Sequence, residues 1–501
     1  MVLTSIGPET PPPHSSRRRL LNNLIVLSGG QVVTWGLAIV WAIFVPARLG
    51  AAGMGVFGVA TAVGGLLIAI FGMGVATMIT KEVAGDHRRA PRLIGASMYL
   101  RLISIPLCFA TVVVYTRLIN ADRQTGTMIW LLTGATTLQL LSGPLFAVAQ
   151  GLEHMKYQTS SDVVIKAGLT LGGVALVMAG FGVISIGVAT LVATASGTLL
   201  VVIWGRRHFT IDWTFDWGEI RHLSFGSAPY WTTGLVLTFY LWIDLLILER
   251  LAPIEVVGYY TVPTRLFGTM VVVPGILTVA LFPRLSRAFK EGARHLAAEI
   301  KPVMELSLAV TLPIAVGTAL VASEVLRVLY GFTFLPAAPV LAILGLCLPA
   351  TVLNMFANQV LVASDRQLVW TKVMVVAAVL NPVLNLVLVR WTQAHWHNGA
   401  IGAALALLAT ETLVAGAALV LMPKVLDRSS AGRLIRAAAT SAGMGLTIWG
   451  VSRAGGLLFQ IPAAMVVFAT LAVLFRVVSR DELHGLRTIA SRLARKSPNA
   501  V

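Results

Sequence analysis

From Leu24 to Val478 the chain is a succession of apolar runs, each about 20 residues long. That is the length at which a helix rising about 1.5 Å per residue crosses a hydrocarbon layer about 30 Å thick. Lipid offers no water to bond backbone N–H and C=O groups, so such runs must satisfy themselves as helices. Of the 501 residues, 57% are hydrophobic and 12% charged, with a mean hydropathy of +0.83. A soluble domain carries roughly 25% charged residues, and this chain has too little polar surface to clothe a water-soluble core. The sequence therefore predicts an all-α polytopic membrane protein.

Fourteen spans are predicted, at 24–46, 56–79, 93–116, 128–149, 158–179, 182–204, 223–247, 257–281, 303–322, 335–361, 369–389, 399–422, 434–452 and 457–478. Lys and Arg concentrate in alternate loops, beginning with Arg17–Arg19, then Lys81 with Arg88, Arg89 and Arg92, and ending in the basic tail from Arg480 to Lys496. Cytoplasmic loops carry the excess of positive charge, so both termini are expected to be cytoplasmic and the protein to lie in the inner or plasma membrane. The expected organisation is a disordered basic tail (1–23), a six-helix lobe (24–204), an amphipathic cytoplasmic linker (205–222), a second six-helix lobe (223–422), two further helices within 434–478, and a basic tail (479–501). The apolar run after the first tail is too long for a signal-peptide core and reads as a retained helix. Two six-span groups that both start on the cytoplasmic side have the topology that permits alternating access.

Several function classes are excluded at this stage. The net charge of +17 resides in short juxtamembrane clusters facing anionic lipid headgroups, without zinc-finger or stacking-aromatic patterns, so nucleic acid is not an expected partner. No GxxxxGK[ST] sequence occurs, so the chain has no P-loop of its own. The longest cytoplasmic loops, WGRRHFTIDWTFDWGEIRH and PRLSRAFKEGARHLAAEIKP, are short and basic, which leaves no room for an appended enzyme. Cys108 and Cys347 lie inside apolar runs, and the HWH at 395–397 falls in an outer loop, so neither metal nor cofactor is expected. Prolines within spans, among them Pro106, Pro144, Pro313 and Pro382, predict kinked helices of the kind that bend in transporters.

A charge inside hydrocarbon is costly unless a polar cavity or partner compensates it. The candidates are Arg101 in the third span, Asp162 and Lys166 in the fifth, Asp244 in the seventh, Arg265 in the eighth and Glu411 in the twelfth. Asp162 and Lys166, four residues apart, share a helix face and can satisfy one another. Asp244 and Arg265 either pair structurally or serve a cavity in which Arg265 meets an anionic substrate while Asp244 orients it or responds to protons or sodium ions. Arg101 either faces that cavity or reaches toward headgroups, and Glu411 either couples to an ion or bonds a neighbouring helix. Gln31 is a polar group within the first span.

Several segments together resemble the multidrug/oligosaccharidyl-lipid/polysaccharide flippase superfamily, in its polysaccharide-export branch. They are QGLEHMKY at 150–157, VVGYYTVPTRL at 256–266 with LFPRLSR at 281–287, ANQVLVASDRQ at 357–367, and NPVLNLVL at 381–388 followed by GAIGAALALLATE at 399–411. The resemblance runs from about Leu24 to Val478. It implies two six-helix lobes with two added helices and export of polyprenyl-pyrophosphate-linked oligosaccharide. The resemblance implies cationic cavity residues, with Arg265 the best match and Arg101 a weaker one; Asp244 and Gln31 join them as cavity candidates from the residue reading, and Asp244, Glu411 and Asp162 are the candidate ion-coupling groups. The implied partners are the lipid-linked cargo, membrane lipids, and glycosyltransferases or a polymerase in transient contact; a monomer is expected. The first two spans lack the Arg of the lipid II flippase branch. A proton- or sodium-coupled multidrug antiporter is the alternative, and a non-transporting scaffold the third class.

Overall fold

A computed structural model describes residues 13–208, 211–422, 428–451 and 457–475. The predicted tail at 479–501 lies outside them. Helix α1 runs from Pro13 to Gly72, so helix begins inside the stretch expected to be disordered, with proline at a first position where its missing N–H costs nothing. The backbone breaks at Gly50, whose φ of 69° suits a residue without Cβ. The first unit continues with α2 (Val75–Gly85), α3 (Ala90–Leu118), α4 (Arg123–Gly151), α5 (Met155–Ala167), a π-helical turn (Gly168–Gly172), α6 (Gly173–Met178), α7 (Val183–His208) and α8 (Trp217–Leu251). Beyond it lie α9 (Ile254–Glu291), α10 (Ala293–Tyr330), α11 (Ala338–Ala363), α12 (Gln367–Trp396), α13 (Gly399–Leu421), α14 (Arg428–Val451) and α15 (Leu457–Leu474). Among the described residues, 11 stretches are long and apolar enough to cross a membrane, the first of them being Gly29–Gly72 with its break at Gly50.

The chain forms two compact units, Met1–Leu246 and Ile247–Val501. The division falls within α8, later than the 205–222 linker at which span counting divides the halves. The packing of α8 gives the reason. Its Ile220 and Leu223 join a core with Val75 and Ile79 of α2, Leu93 and Ile94 of α3, Val148 of α4 and Trp204 of α7. The loop expected at 282–302 is also mostly helical: α9 continues to Glu291 and α10 starts at Ala293, with only Gly292, φ 119°, between them. Its Ala, Leu, Glu, Lys and Arg favour helix in water as much as in lipid, and a search for apolar spans passes over them.

The linker ahead of α8 is an extended strap laid across the start of α3. Asp212 N–H donates to Pro91 O at 3.2 Å and the Tyr99 hydroxyl to Trp213 O at 2.6 Å. Tyr99 also meets Phe215 edge-on, with centroids 5.3 Å apart. A Cβ at Gly95 would lie 1.8 Å from Asp212 O, so only glycine admits the strap. Nearby, Arg89 ties α2 to α8 by pairing with Glu82 and with Glu219, the latter at 2.7 Å. In the second unit a buried carboxylate ties helices in the same manner. Glu305 of α10 accepts from Ser430 and, at 3.2 Å, from Arg433, fixing α14 against α10.

Gly95→Ala is expected to destabilise the protein by about 1–3 kcal/mol through overpacking, lowering the thermal unfolding midpoint in detergent. Gly36→Ala, where a Cβ meets nothing within 4 Å, should leave the midpoint unchanged. The strap also carries an acid-sensitive component. The Thr214 hydroxyl and N–H, donating to Asp212, hold its carboxyl below the usual carboxylate range, with Arg92 adding a smaller pull in the same direction. A depressed folded-state pKa contributes stability above the unfolded value, about 3.9, which is lost as pH falls through the folded value. Unfolding midpoints measured from pH 6 downward should therefore fall more for the wild type than for Thr214→Val.

Candidate functional site

In the first unit, α1 ends where Met73 and Gly74 take left-handed conformations, φ 53° and 63°. The final carbonyls of a helix have no partner within it, and in lipid no water supplies one. Side chains do so here. Trp231 Nε1 donates to Ala69 O at 2.9 Å, and Arg101 donates to Phe71 O and, at 3.3 Å, to Gly72 O. The α8 backbone presses close enough that a Cβ at Gly74 would sit 2.7 Å from Trp231 N. Arg101 is 3% exposed, and its guanidinium caps this helix end.

Gln31 of α1 and Asp162 of α5 lie at one depth. Gly30 faces Thr159 and Val163 of α5, and higher up Thr170 Oγ1 donates to Leu37 O at 3.4 Å. Gln31, Asp162 and Lys166 are all exposed. Asp244 of α8 is 4% exposed and belongs to the first unit, whereas Arg265 belongs to the second. Arg265 is half-buried on α9, in electrostatic contact with Tyr330 at the end of α10. Tyr330 in turn packs on Phe334, at 5.3 Å between centroids.

Glu411, 9% exposed at mid-length of α13, lies in a polar cluster of the second unit. Its carboxylate accepts from Thr351 Oγ1 at 2.9 Å and from Asn354 Nδ2 at 2.8 Å, both on α11. Asn354 Nδ2 also reaches Glu411 O at 3.1 Å. Two further ties keep α11 and α13 in parallel register: Asn398 Nδ2 to Pro336 O at 2.7 Å and Arg366 Nη1 to Leu421 O at 2.9 Å. On the other side α12 runs antiparallel. Gly402 approaches Leu388 so closely that a Cβ would meet its carbonyl at 2.4 Å, and Gly399 faces Val389 and Gln393. That register puts Asn381 level with Glu411. Asn381 is fully buried and bonded through its side-chain oxygen to Asn385, Nδ2 to Oδ1 at 3.1 Å.

Sequence reasoning passes over Thr351, Asn354, Asn381, Asn385, Tyr330 and Trp231. The asparagines carry a signal, since an amide inside an apolar span is as conspicuous as a charge. Trp231 carries none, because its role depends on a helix end 162 positions away. Among the described residues no group of three or more His, Cys, Asp or Glu could hold a metal ion.

Asn354→Ala is expected to cost about 1.5–3 kcal/mol, the value of a hydrogen bond to a charged group. In a cycle with Glu411→Gln, thermal unfolding in detergent should give a coupling above about 0.5 kcal/mol.

The family profile described as polysaccharide biosynthesis protein matches residues 20–289. A curated relative, the probable low-salt glycan biosynthesis flippase Agl15 of Haloferax volcanii, is 21% identical over 356 residues, covering 71% of this chain and 74% of that protein. Among solved structures, the lipid II flippase MurJ in an inward closed conformation is similar with a TM-score of 0.73 at 14% identity, covering 91% of this chain and 99% of that one. An inward-facing multidrug resistance MATE family transporter of the MOP superfamily aligns with a TM-score of 0.63 at 13% identity, covering 84% and 99%. The family profile spans more than half of the chain, and the protein belongs to the polysaccharide biosynthesis protein family.

Proposed function

We propose that the protein moves polyprenyl-pyrophosphate-linked oligosaccharide from the cytoplasmic to the outer leaflet by alternating access, in the service of cell-surface polysaccharide synthesis. The isoprenoid tail of such cargo is at home in hydrocarbon, while the pyrophosphate and sugars need a polar route with cationic groups along it. The observation that carries the reading is Arg265, a guanidinium kept within a span beside the Tyr330 phenol, in a chain of this family. An apolar groove of about 370 Å³ along α10, α14 and α15, lined by Pro313, Gly317, Met444 and Phe468 among others, is of a kind to take a hydrocarbon chain. Asp162, Asp244 and Glu411 are the groups we assign to protons or sodium ions. Arg101 is assigned to the cavity wall as a cap for the broken helix and Gln31 as a sugar-bonding amide. The protein acts as a monomer, handing cargo between glycosyltransferases and a polymerase by transient contact.

Dividing the first apolar stretch at Gly50 and adding α14 and α15 to the 11 gives fourteen crossings. An even number puts both termini on one side, and the Lys and Arg distribution makes that side cytoplasmic. A second reading, exchange of cationic compounds for protons or sodium ions, draws on the buried carboxylates of Asp244 and Glu411.

Purified protein in liposomes carrying a fluorescent polyprenyl-pyrophosphate oligosaccharide should expose the sugar on the opposite leaflet, and Arg265→Ala should slow the initial rate at least tenfold, equivalent to about 1.4 kcal/mol of lost cargo binding. Gradient-driven release of a cationic dye without movement of lipid-linked sugar would establish the second reading instead.

A further inference from the structure

Two cations sit deep within the spans of the first unit among the described residues, Arg101 and Lys166, and the structure treats them oppositely. Arg101 is buried and committed to the carbonyls of Phe71 and Gly72. Lys166 is exposed. It lies ten residues into the Lys156–Met178 span, hence about 15 Å along the helix axis and near mid-depth. A charge left exposed there is tolerable only against water or a polar ligand, since against lipid tails its lost hydration is not replaced.

The surroundings point the same way. Asp162, one turn earlier, shares the face and is electrostatically coupled to Lys166. Ser160 adds a third exposed polar side chain to that helix, and Gln31 of α1 stands level with Asp162. The polar run ends at the π-helical turn Gly168–Gly172. A π turn holds more residues than an α turn and so changes the rotational phase of the helix beyond it. Within that turn and after it the exposed side chains are apolar, Leu171 at 62% and Met178 at 47%. The exposed side chains of this helix are thus polar ahead of the turn and apolar from it onward.

We propose that Lys166 is the first unit's contact for the phosphate-bearing part of the cargo, with Asp162 holding its ammonium in the unloaded state and yielding it to the incoming phosphate. This rests on the flippase reading above and adds to it a specific anion contact. An exposed carboxylate is a partner that a doubly charged diphosphate can displace, because water screens the original pair weakly enough to hold it and strongly enough to release it.

The test uses full-length protein in zwitterionic liposomes with a fluorescent polyprenyl-pyrophosphate oligosaccharide, comparing wild type, Lys166→Met, Lys166→Arg and Asp162→Asn. Lys166→Met should raise the half-saturating cargo concentration at least about tenfold, the usual result of truncating a charged contact, with little change in maximal rate. Lys166→Arg should restore it, which a folding lesion would not allow, and Asp162→Asn should lower it. The Lys166→Met penalty should shrink when the cargo carries a monophosphate. Wild-type translocation with unchanged half-saturation in Lys166→Met would overturn the proposal and leave the flippase reading standing. A Lys166→Met defect that follows added anionic phospholipid, and not the cargo phosphate, would also overturn it, assigning the site to bulk lipid. No translocation by wild type would remove both.

Discussion

Hydrocarbon cannot hydrogen-bond, and several helix ends of this chain answer to that fact. Where α1 stops, three of its last four carbonyls receive donors from Trp231 and Arg101, brought by α8 and α3. Where α13 starts, the N–H of Gly399 is met by Gln393 Oε1 at 2.8 Å and that of Gly402 by Thr392 Oγ1 at 3.1 Å, both from the preceding helix. Where α13 ends, Arg366 reaches Leu421 O. Breaks in helices therefore decide which helices must be neighbours, and much of the packing follows from these few obligations.

The same demand sorts the charged residues. Arg101, Glu305 and Glu411 are buried with donors or acceptors supplied by helices of their own unit. Replacing one partner of such a group leaves the other stranded, so these positions bear on folding before they bear on transport. Lys166 and Asp162 lie instead on an exposed part of their helix. Charge within a span is thus two signals in one, and exposure separates them.

Apolar run length made the spans legible, including the short turn after Met178, where Gly180 has φ 90°. Asp162 with Lys166 was legible as a pair because i and i+4 meet on any helix. What escaped was whatever depends on distant partners. The sequence near Arg101 offers no hint of the carbonyls it caps, which lie 29 and 30 positions away. Nor do the polar residues of 282–302 show that helix continues through them, since hydropathy reports environment and not conformation. The division after Leu246 escaped for a related reason: span counting sees order along the chain, whereas α8 is assigned by the apolar and aromatic side chains that settle on α2 and α3.

The π-helical turn at Gly168–Gly172 bears on how this chain relates to its relatives. Such a turn amounts to one residue too many in a helix whose two ends are held in place. On the near side Ser161 Oγ anchors α5 to Gly197 O at 2.9 Å, and on the far side Gly173 packs on Ile186 of α7. A single-residue deletion between these anchors would convert the segment to continuous α-helix and leave both flanks in register with α7. When homologous sequences are aligned, GLTLG is therefore a position where a one-residue gap inside a membrane span has a structural meaning, and where forcing an ungapped alignment would misassign every residue of α6.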